Sequence, residues 1–152
     1  MNESYAPALR EAVQQRDERH LRDILSRIPD EERPQQVNEP LRGDPSLLAA
    51  ATTGRVGLMI ALLEAGALVN GRRDQHGTTA LIQAAAFGHA DAVQTLLAHG
   101  ADPTLVDRQG RTAEAIATGE ALQVLVAHRE RIVLRAVAEV SEEPAPRARR
   151  KM

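Results

Sequence analysis

Residues 74–106, DQHGTTALIQAAAFGHADAVQTLLAHGADPTLV, decide the fold. The stretch contains two short segments rich in alanine and leucine, separated by Gly88, a residue that is common where helices end. In the second segment Val93, Leu96 and Leu97 lie at three- and four-residue spacing, which places them on one face of a helix. The stretch therefore predicts two short helices that pack against each other.

The turns around these helices carry residues that begin and end helices. Gly77 and Gly110 occupy turns that need a positive φ, which glycine adopts without steric cost. Thr79 and Thr112 can each accept a backbone N–H and so cap the helix that follows. Gly100 is expected to end the second helix in the left-handed conformation. The predicted unit is thus a turn followed by two helices.

The landmarks of this unit recur on both sides, roughly every 33 residues. In the preceding copy Asp44 is the predicted helix cap and Pro45 takes the first helical position. The other landmarks of that copy are Gly43, Leu47, Ala50, Ala51, Gly54, Met59, Leu62, Leu63, Gly66 and Ala67. The following copy has Asp107, Gly110, Thr112, Ala113 and Ala117, and a fainter N-terminal copy has Ala12, Leu21, Ile24 and Leu25. One unit cannot bury its apolar face alone, so the repetition predicts a stack of units with a continuous core.

The pattern D-x-x-G-x-T-x-L-x-x-A-A-x-x-G-H, followed by L-L-x-x-G-A-D, resembles the ankyrin repeat over about residues 8–138. The resemblance implies an all-α ankyrin-repeat solenoid of about four helix–turn–helix units, with two clear central repeats and degenerate caps. The predicted units are 1–40, an N-terminal capping helical pair with a polar loop; 41–73 and 74–106, two ankyrin repeats; 107–140, a C-terminal capping repeat with a long final helix; and 141–152, a disordered basic tail.

Local signals refine the two ends. Residues 6–28 are predicted to form the helical pair, and residues 29–40 a loop, because Pro29 and Pro34 interrupt a polar segment. Gly119 arrives early and shortens the first helix of the last unit, and residues 120–139 are predicted to form one amphipathic helix. The predicted core consists of Leu62, Leu63, Leu81, Ala84, Val93, Leu96 and Leu97.

Composition and motifs argue against an enzyme, a metalloprotein and a membrane-spanning protein. Without cysteine there is no thiol nucleophile and no Cys-ligated metal, and none of the five histidines has the helical spacing of a metal-binding pair. His89 is instead expected to make a structural hydrogen bond. No glycine-rich phosphate loop, no G-x-S-x-G motif and no stretch of about 18 apolar residues occurs. We therefore predict no catalytic residue, no cofactor, no metal and no membrane span.

The resemblance implies that the turn tips and the exposed side of the first helices form a concave face that binds another protein. The candidate residues are Arg42, Asp44, Thr52, Thr53, Arg72, Arg73, Gln75, His76, Thr78, Ala86, Phe87, Arg108, Gln109 and Arg111. Arginine and aromatic residues are favoured anchors in protein interfaces. Because arginine dominates the charge of this set, the partner is expected to present an acidic surface.

The predicted function is a non-catalytic protein–protein interaction module, an adaptor or a regulator. One alternative is an inhibitor of the immunity-protein type that occludes a toxin or effector. Another is a nucleic-acid-associated factor working through the arginine-rich segment 147–151, although a net charge of −2 disfavours general nucleic-acid binding. We expect a monomeric, cytoplasmic protein, and the preference for arginine over lysine suggests a bacterial source.

Overall fold

The computed structural model describes residues 4–38, 46–71 and 77–141, and every regular element within these ranges is a helix. The helices are α1 (Ala6–Gln14), α2 (Glu18–Arg27), α3 (Arg33–Asn38), α4 (Ser46–Thr53), α5 (Val56–Glu64), α6 (Ala80–Ala86), α7 (Ala90–Ala98), α8 (Ala113–Ile116) and α9 (Gly119–Ser141). The predicted all-α class is confirmed. The boundaries between the predicted units remain a proposal.

The helices form two rows. In the first row α1, α4, α6 and α8 pack on one another in that order, and in the second row α2, α5, α7 and α9 do the same. Each first-row helix also packs on the second-row helix that follows it in the chain. The result is a stack of helical pairs, in which each pair covers the apolar face of its neighbour.

The core lies between the two rows and is almost entirely aliphatic. The largest fully buried apolar side chains are Leu9, Leu21, Ile28, Leu58, Met59, Leu62, Leu81, Leu96, Val13 and Val93. Five of the seven predicted core residues are buried, whereas Leu63 and Leu97 are only partly buried and pack against the edge of the core. Consecutive residues of a helix point about 100° apart, so one residue of each Leu-Leu pair faces the core and the other is displaced from it.

The predicted turn and cap chemistry is confirmed in the described residues. Thr79 Oγ1 accepts a hydrogen bond from the backbone N–H of Ile82 at 3.2 Å, and Thr112 Oγ1 caps α8 in the same way at 3.2 Å. Gly77 and Gly110 have the predicted positive φ, at +61° and +74°. The predicted cap Asp44 and the following Pro45 lie outside the described residues.

Arg16 occupies the turn between α1 and α2 with a φ of +59°, which the sequence did not predict. Gly54 takes the equivalent place between α4 and α5, with a φ of +66°. The backbone hydrogen bonds of the two turns are equivalent as well. The N–H of Asp17, after Arg16, donates to the carbonyl of Ala12, and the N–H of Arg55, after Gly54, donates to the carbonyl of Ala50. The first unit thus keeps the turn of the later units at a strain of about 1–2 kcal/mol.

Asparagine side chains join the loop of one unit to the next. Asn38 Oδ1 accepts from the backbone N–H of Leu68 at 2.8 Å, and Asn38 Nδ2 donates to the carbonyl of Gly66 at 2.8 Å. One unit later, Asn70 Oδ1 accepts from the N–H of Asp102 at 2.8 Å. In both cases the side chain belongs to the earlier unit and the backbone group to the later one.

The predicted loop over residues 29–40 is wrong, because it contains helix α3. Pro34 is the second residue of this helix, where the missing N–H has no helical partner to lose. Gln36 and Val37 are buried, and Gln36 Oε1 accepts from the N–H of Tyr5 at 2.9 Å. Arg33 Nε donates to the carbonyl of Ile28 at 3.0 Å. The segment is therefore part of the N-terminal cap.

The last unit has the predicted short first helix, α8, and the predicted long helix, α9. Ala121 and Leu125 are buried against the stack, but every residue from Arg129 to Ser141 is exposed. Ser141, predicted to begin the disordered tail, is the last residue of α9, and the remaining tail residues 142–152 lie outside the described residues. Among the described helices, none is both long and apolar enough to cross a membrane.

Candidate functional site

The structure describes eight of the candidate binding residues. Arg42, Asp44, Arg72, Arg73, Gln75 and His76 lie outside the described residues. The others are exposed or partly exposed and fall into two groups. The helix-end group is Thr52, Thr53, Ala86 and Phe87, and the turn group is Thr78, Arg108, Gln109 and Arg111.

The helix-end group lies at the C-terminal ends of α4 and α6, which are neighbours in the first row. Phe87 is 56 % exposed, and its ring stacks on that of His89 with 6.2 Å between the ring centres and 9° between the planes. His89 Nε2 donates to the carbonyl of Thr52 at 3.0 Å, which confirms the structural hydrogen bond predicted for this histidine. The exposed phenylalanine therefore rests on an imidazole that is tied to the preceding unit.

Gly54 lies under the His89 ring, and its lack of a side chain lets the ring come close to the backbone of α4's C-terminal turn. A Cβ atom on residue 54 would lie 2.6 Å from His89 Nδ1, closer than such atoms come in proteins. Beside it, the hydroxyls of Thr52 and Thr53 donate to the carbonyls of Leu48 and Ala50, both at 2.9 Å. The contact between Gly54 and His89 was not predicted, although the sequence contains the Gly88–His89 pair in one unit and a glycine 34 residues before Gly88.

The turn group is organised by Asp107, which is buried. Asp107 Oδ1 accepts from the backbone N–H groups of Gln109 at 2.9 Å and Arg111 at 3.0 Å. Its Oδ2 pairs with Arg111 Nε at 2.9 Å and with Arg111 Nη2 at 2.8 Å. Arg111 was predicted to contact a partner. Half of its side chain is exposed, and its guanidinium also pairs with Asp107 and so closes its own turn.

The turn at Gly77 lies directly against this turn. A Cβ atom on residue 77 would lie 3.4 Å from Arg108 Cγ and 3.5 Å from the backbone nitrogen of Arg108. Turns of successive units therefore touch, which brings Thr78 and Arg108 to one edge of the stack.

Hydrogen bonds hold the pKa of the Asp107 carboxyl below its usual value of 3.8, first those from the backbone amide and guanidinium of Arg111 and then the one from Gln109. A lowered pKa in the folded state contributes stability that is present above about pH 3.8 and is lost as the pH falls through the folded value. We expect Asp107→Asn to unfold at lower urea concentration than wild type at about pH 6, with the difference shrinking at about pH 2.5. A difference that stays constant with pH would contradict this role for the carboxylate.

Stacked helical pairs with polar turns along one edge and no strands in the described residues define a helical repeat protein. The family model described as "Ankyrin repeats (3 copies)" matches residues 9–107 and 47–136. The chain belongs to the ankyrin-repeat family. Ankyrin repeats are in general non-catalytic modules for protein–protein interaction.

Three relatives illustrate the similarity. "Ankyrin repeat and SAM domain-containing protein 6" of Rattus norvegicus is 40% identical over 92 residues, which are 59% of this chain and 10% of that protein. A "Putative ankyrin repeat-containing protein" of Treponema pallidum (strain Nichols) is 34% identical over 85 residues, 56% of this chain and 28% of that protein. The "2-5A-dependent ribonuclease" of Mus musculus is 42% identical over 74 residues, 49% of this chain and 10% of that protein.

The matched segments are small parts of these relatives, so the chain shares a repeat region with them and not their full architecture. The ribonuclease is named as an enzyme, but the shared segment is a tenth of its length. Relatives from rat and mouse appear beside the one from Treponema, and these matches do not support the expected bacterial source.

Proposed function

We propose that this chain binds one partner protein through the helix-end group and the turn group, and acts as an adaptor or regulator of that partner. The observation that carries the proposal is Phe87, an aromatic side chain that is more than half exposed and yet held in place. We propose that the protein acts in the cytoplasm.

Phe87 has the properties of an interface anchor. Its ring is fixed by the stack on His89, and His89 is fixed by Thr52, so little side-chain entropy remains to be lost on binding. Aromatic side chains carry a large share of the binding energy in protein interfaces. Ala86, which precedes Phe87, is also exposed and has a small side chain.

The partner we propose has an acidic surface. The turn group contributes Arg108 and the half-exposed Arg111, although Asp107 balances the charge of Arg111. The sequence adds Arg42, Arg72 and Arg73 in the corresponding segments of neighbouring units. Cations along one edge speed the encounter with an anionic surface, and added salt screens this attraction. We therefore expect the association rate to fall steeply between low and physiological ionic strength.

The test uses the chain as bait in a lysate of its host, with wild type, Phe87→Ala and Leu68→Ala compared by quantitative mass spectrometry. Leu68 is the control, because it is another large apolar side chain that is more than half exposed, at 65 %, on the loop after α5. A true partner is retained by wild type and Leu68→Ala and depleted with Phe87→Ala.

With that partner purified, we expect Phe87→Ala to raise the Kd at least about tenfold and Leu68→Ala to change it less than about twofold. Circular dichroism shows whether each variant remains folded. A partner that binds wild type and Phe87→Ala equally well would overturn the assignment of this surface.

A further inference from the structure

The second half of α9 carries an apolar face that nothing in the described structure covers. Residues 130–141 extend about 18 Å beyond the last packed turn of the helix. One side of this segment is formed by Ile132, Val133, Ala136, Val137 and Val140, which we call the C-terminal stripe. Ile132, Val133, Val137 and Val140 are between 51 % and 73 % exposed.

A helical segment of this kind has little to stabilise it when it makes no tertiary contacts. A helix of about 12 residues without tertiary contacts is marginally stable in water, and β-branched residues lower its intrinsic stability further. In the sequence after the described part of α9, residues 142–152 contain no valine, isoleucine, leucine or aromatic residue. An apolar partner from outside the chain would stabilise the helix and bury the stripe.

The stripe is complementary to itself when two copies run in opposite directions. Ala136 lies at its centre, with Ile132 and Val133 on one side and Val137 and Val140 on the other. An antiparallel pair centred on Ala136 places the two alanines opposite each other and Ile132 opposite Val140 of the second copy. The small central residue lets the helices approach closely, and the β-branched residues fill the space on both sides.

The charged residues of this segment also favour an antiparallel pair. The first half of the segment is cationic, with Arg129, Arg131 and Arg135 against Glu130, and the second half has Glu139 followed in the sequence by Glu142 and Glu143. Within the chain, Arg135 pairs with Glu139 at 3.3 Å and Arg129 with Glu114. An antiparallel pair sets each cationic half beside an anionic half, whereas a parallel pair aligns like charges.

We propose that two copies of this chain associate as an antiparallel helical pair through the C-terminal stripe. The interface uses no residue of the helix-end or turn group, so it is independent of the proposed partner-binding function. The stripe contributes five residues from each copy, against about 20–30 residues a side in a standard protein interface, so we expect a weak dimer with a Kd of roughly 10–100 µM. The proposal replaces the sequence-based expectation of a monomer with a concentration-dependent equilibrium.

Sedimentation velocity of the full chain from about 5 to 300 µM tests the proposal. We expect the weight-average sedimentation coefficient to rise towards that of a dimer. Val137→Glu, on the stripe, should keep the protein monomeric throughout this range. Leu134→Glu introduces the same charge on the same helix but off the stripe, at a residue that is 68 % exposed, and should dimerise like wild type. A wild type that stays monomeric, or equal loss in both variants, would overturn the proposal.

The absence of cysteine from the chain makes the direction of the helices testable as well. Under mild oxidation, Ala136→Cys should form a disulfide-linked dimer, while Ile132→Cys and Val140→Cys should link with each other in a mixture far more than each with itself. Efficient self-linking of all three variants would indicate a parallel pair and would contradict the antiparallel arrangement.

Discussion

Leu96→Ala should lower the free energy of unfolding by about 3–5 kcal/mol. Leu96 is completely buried between the two helical rows, and its removal leaves a cavity that α7 cannot close without moving away from α5 and α9. Urea unfolding followed by far-UV circular dichroism measures the loss. This is the largest effect we expect from a single side-chain truncation in the second row.

Leu97→Ala is the matched control, since it removes the same atoms from the next residue of the same helix. Leu97 is only partly buried at the edge of the core, so we expect a loss of about 1 kcal/mol. Leu96 and Leu97 were both predicted to lie in the core, but only Leu96 is fully buried in the structure. Equal losses for the two variants would mean that the helix is rotated from the orientation described here.

Gly54→Ala should cost somewhat less, about 2–3 kcal/mol. The residue has a φ of +66°, which strains any side chain by about 1–2 kcal/mol. The new methyl group would also displace the His89 ring and break its hydrogen bond to Thr52, for about 1 kcal/mol more. Thermal and urea unfolding give the stability, and a shift of the His89 ring resonances in the NMR spectrum reports the displacement.

Gly110→Ala separates the effect of backbone strain from that of the contact with the His89 ring. Its φ of +74° is similar, but a Cβ atom there would meet nothing within 4 Å. We expect it to lose about 1 kcal/mol and to leave the His89 resonances unchanged. Should Gly110→Ala prove as destabilising as Gly54→Ala, the contact with the histidine ring would have no energetic role.

The parts of the fold that the sequence predicted correctly depend on short-range chemistry. Thr79 and Thr112 cap the helices that follow them, and Gly77 adopts a positive φ, because each of these roles is decided within a few residues. The sequence also predicted that His89 makes a structural hydrogen bond. It did not predict the acceptor, the carbonyl of Thr52, because Thr52 belongs to the preceding unit.

The errors come from long-range packing. Pro34 was taken to interrupt a loop, but the segment becomes helical where Val37 is buried, and proline fits the first turn of that helix. Ile132 and Val137 have the spacing of a core-facing stripe, yet the stack ends before it reaches them. The pairing of Arg111 with Asp107 could not be predicted because it depends on how that turn closes, and the role of Arg111 as a binding residue stays a prediction.

The asparagine contacts between units give the stack a direction. Asn38 and Asn70 each satisfy backbone groups of the unit that follows, so losing an earlier unit leaves amide and carbonyl groups of the next loop without their partners. During synthesis the earlier unit leaves the ribosome first. Each of these loops therefore emerges after the asparagine side chain that holds it in place.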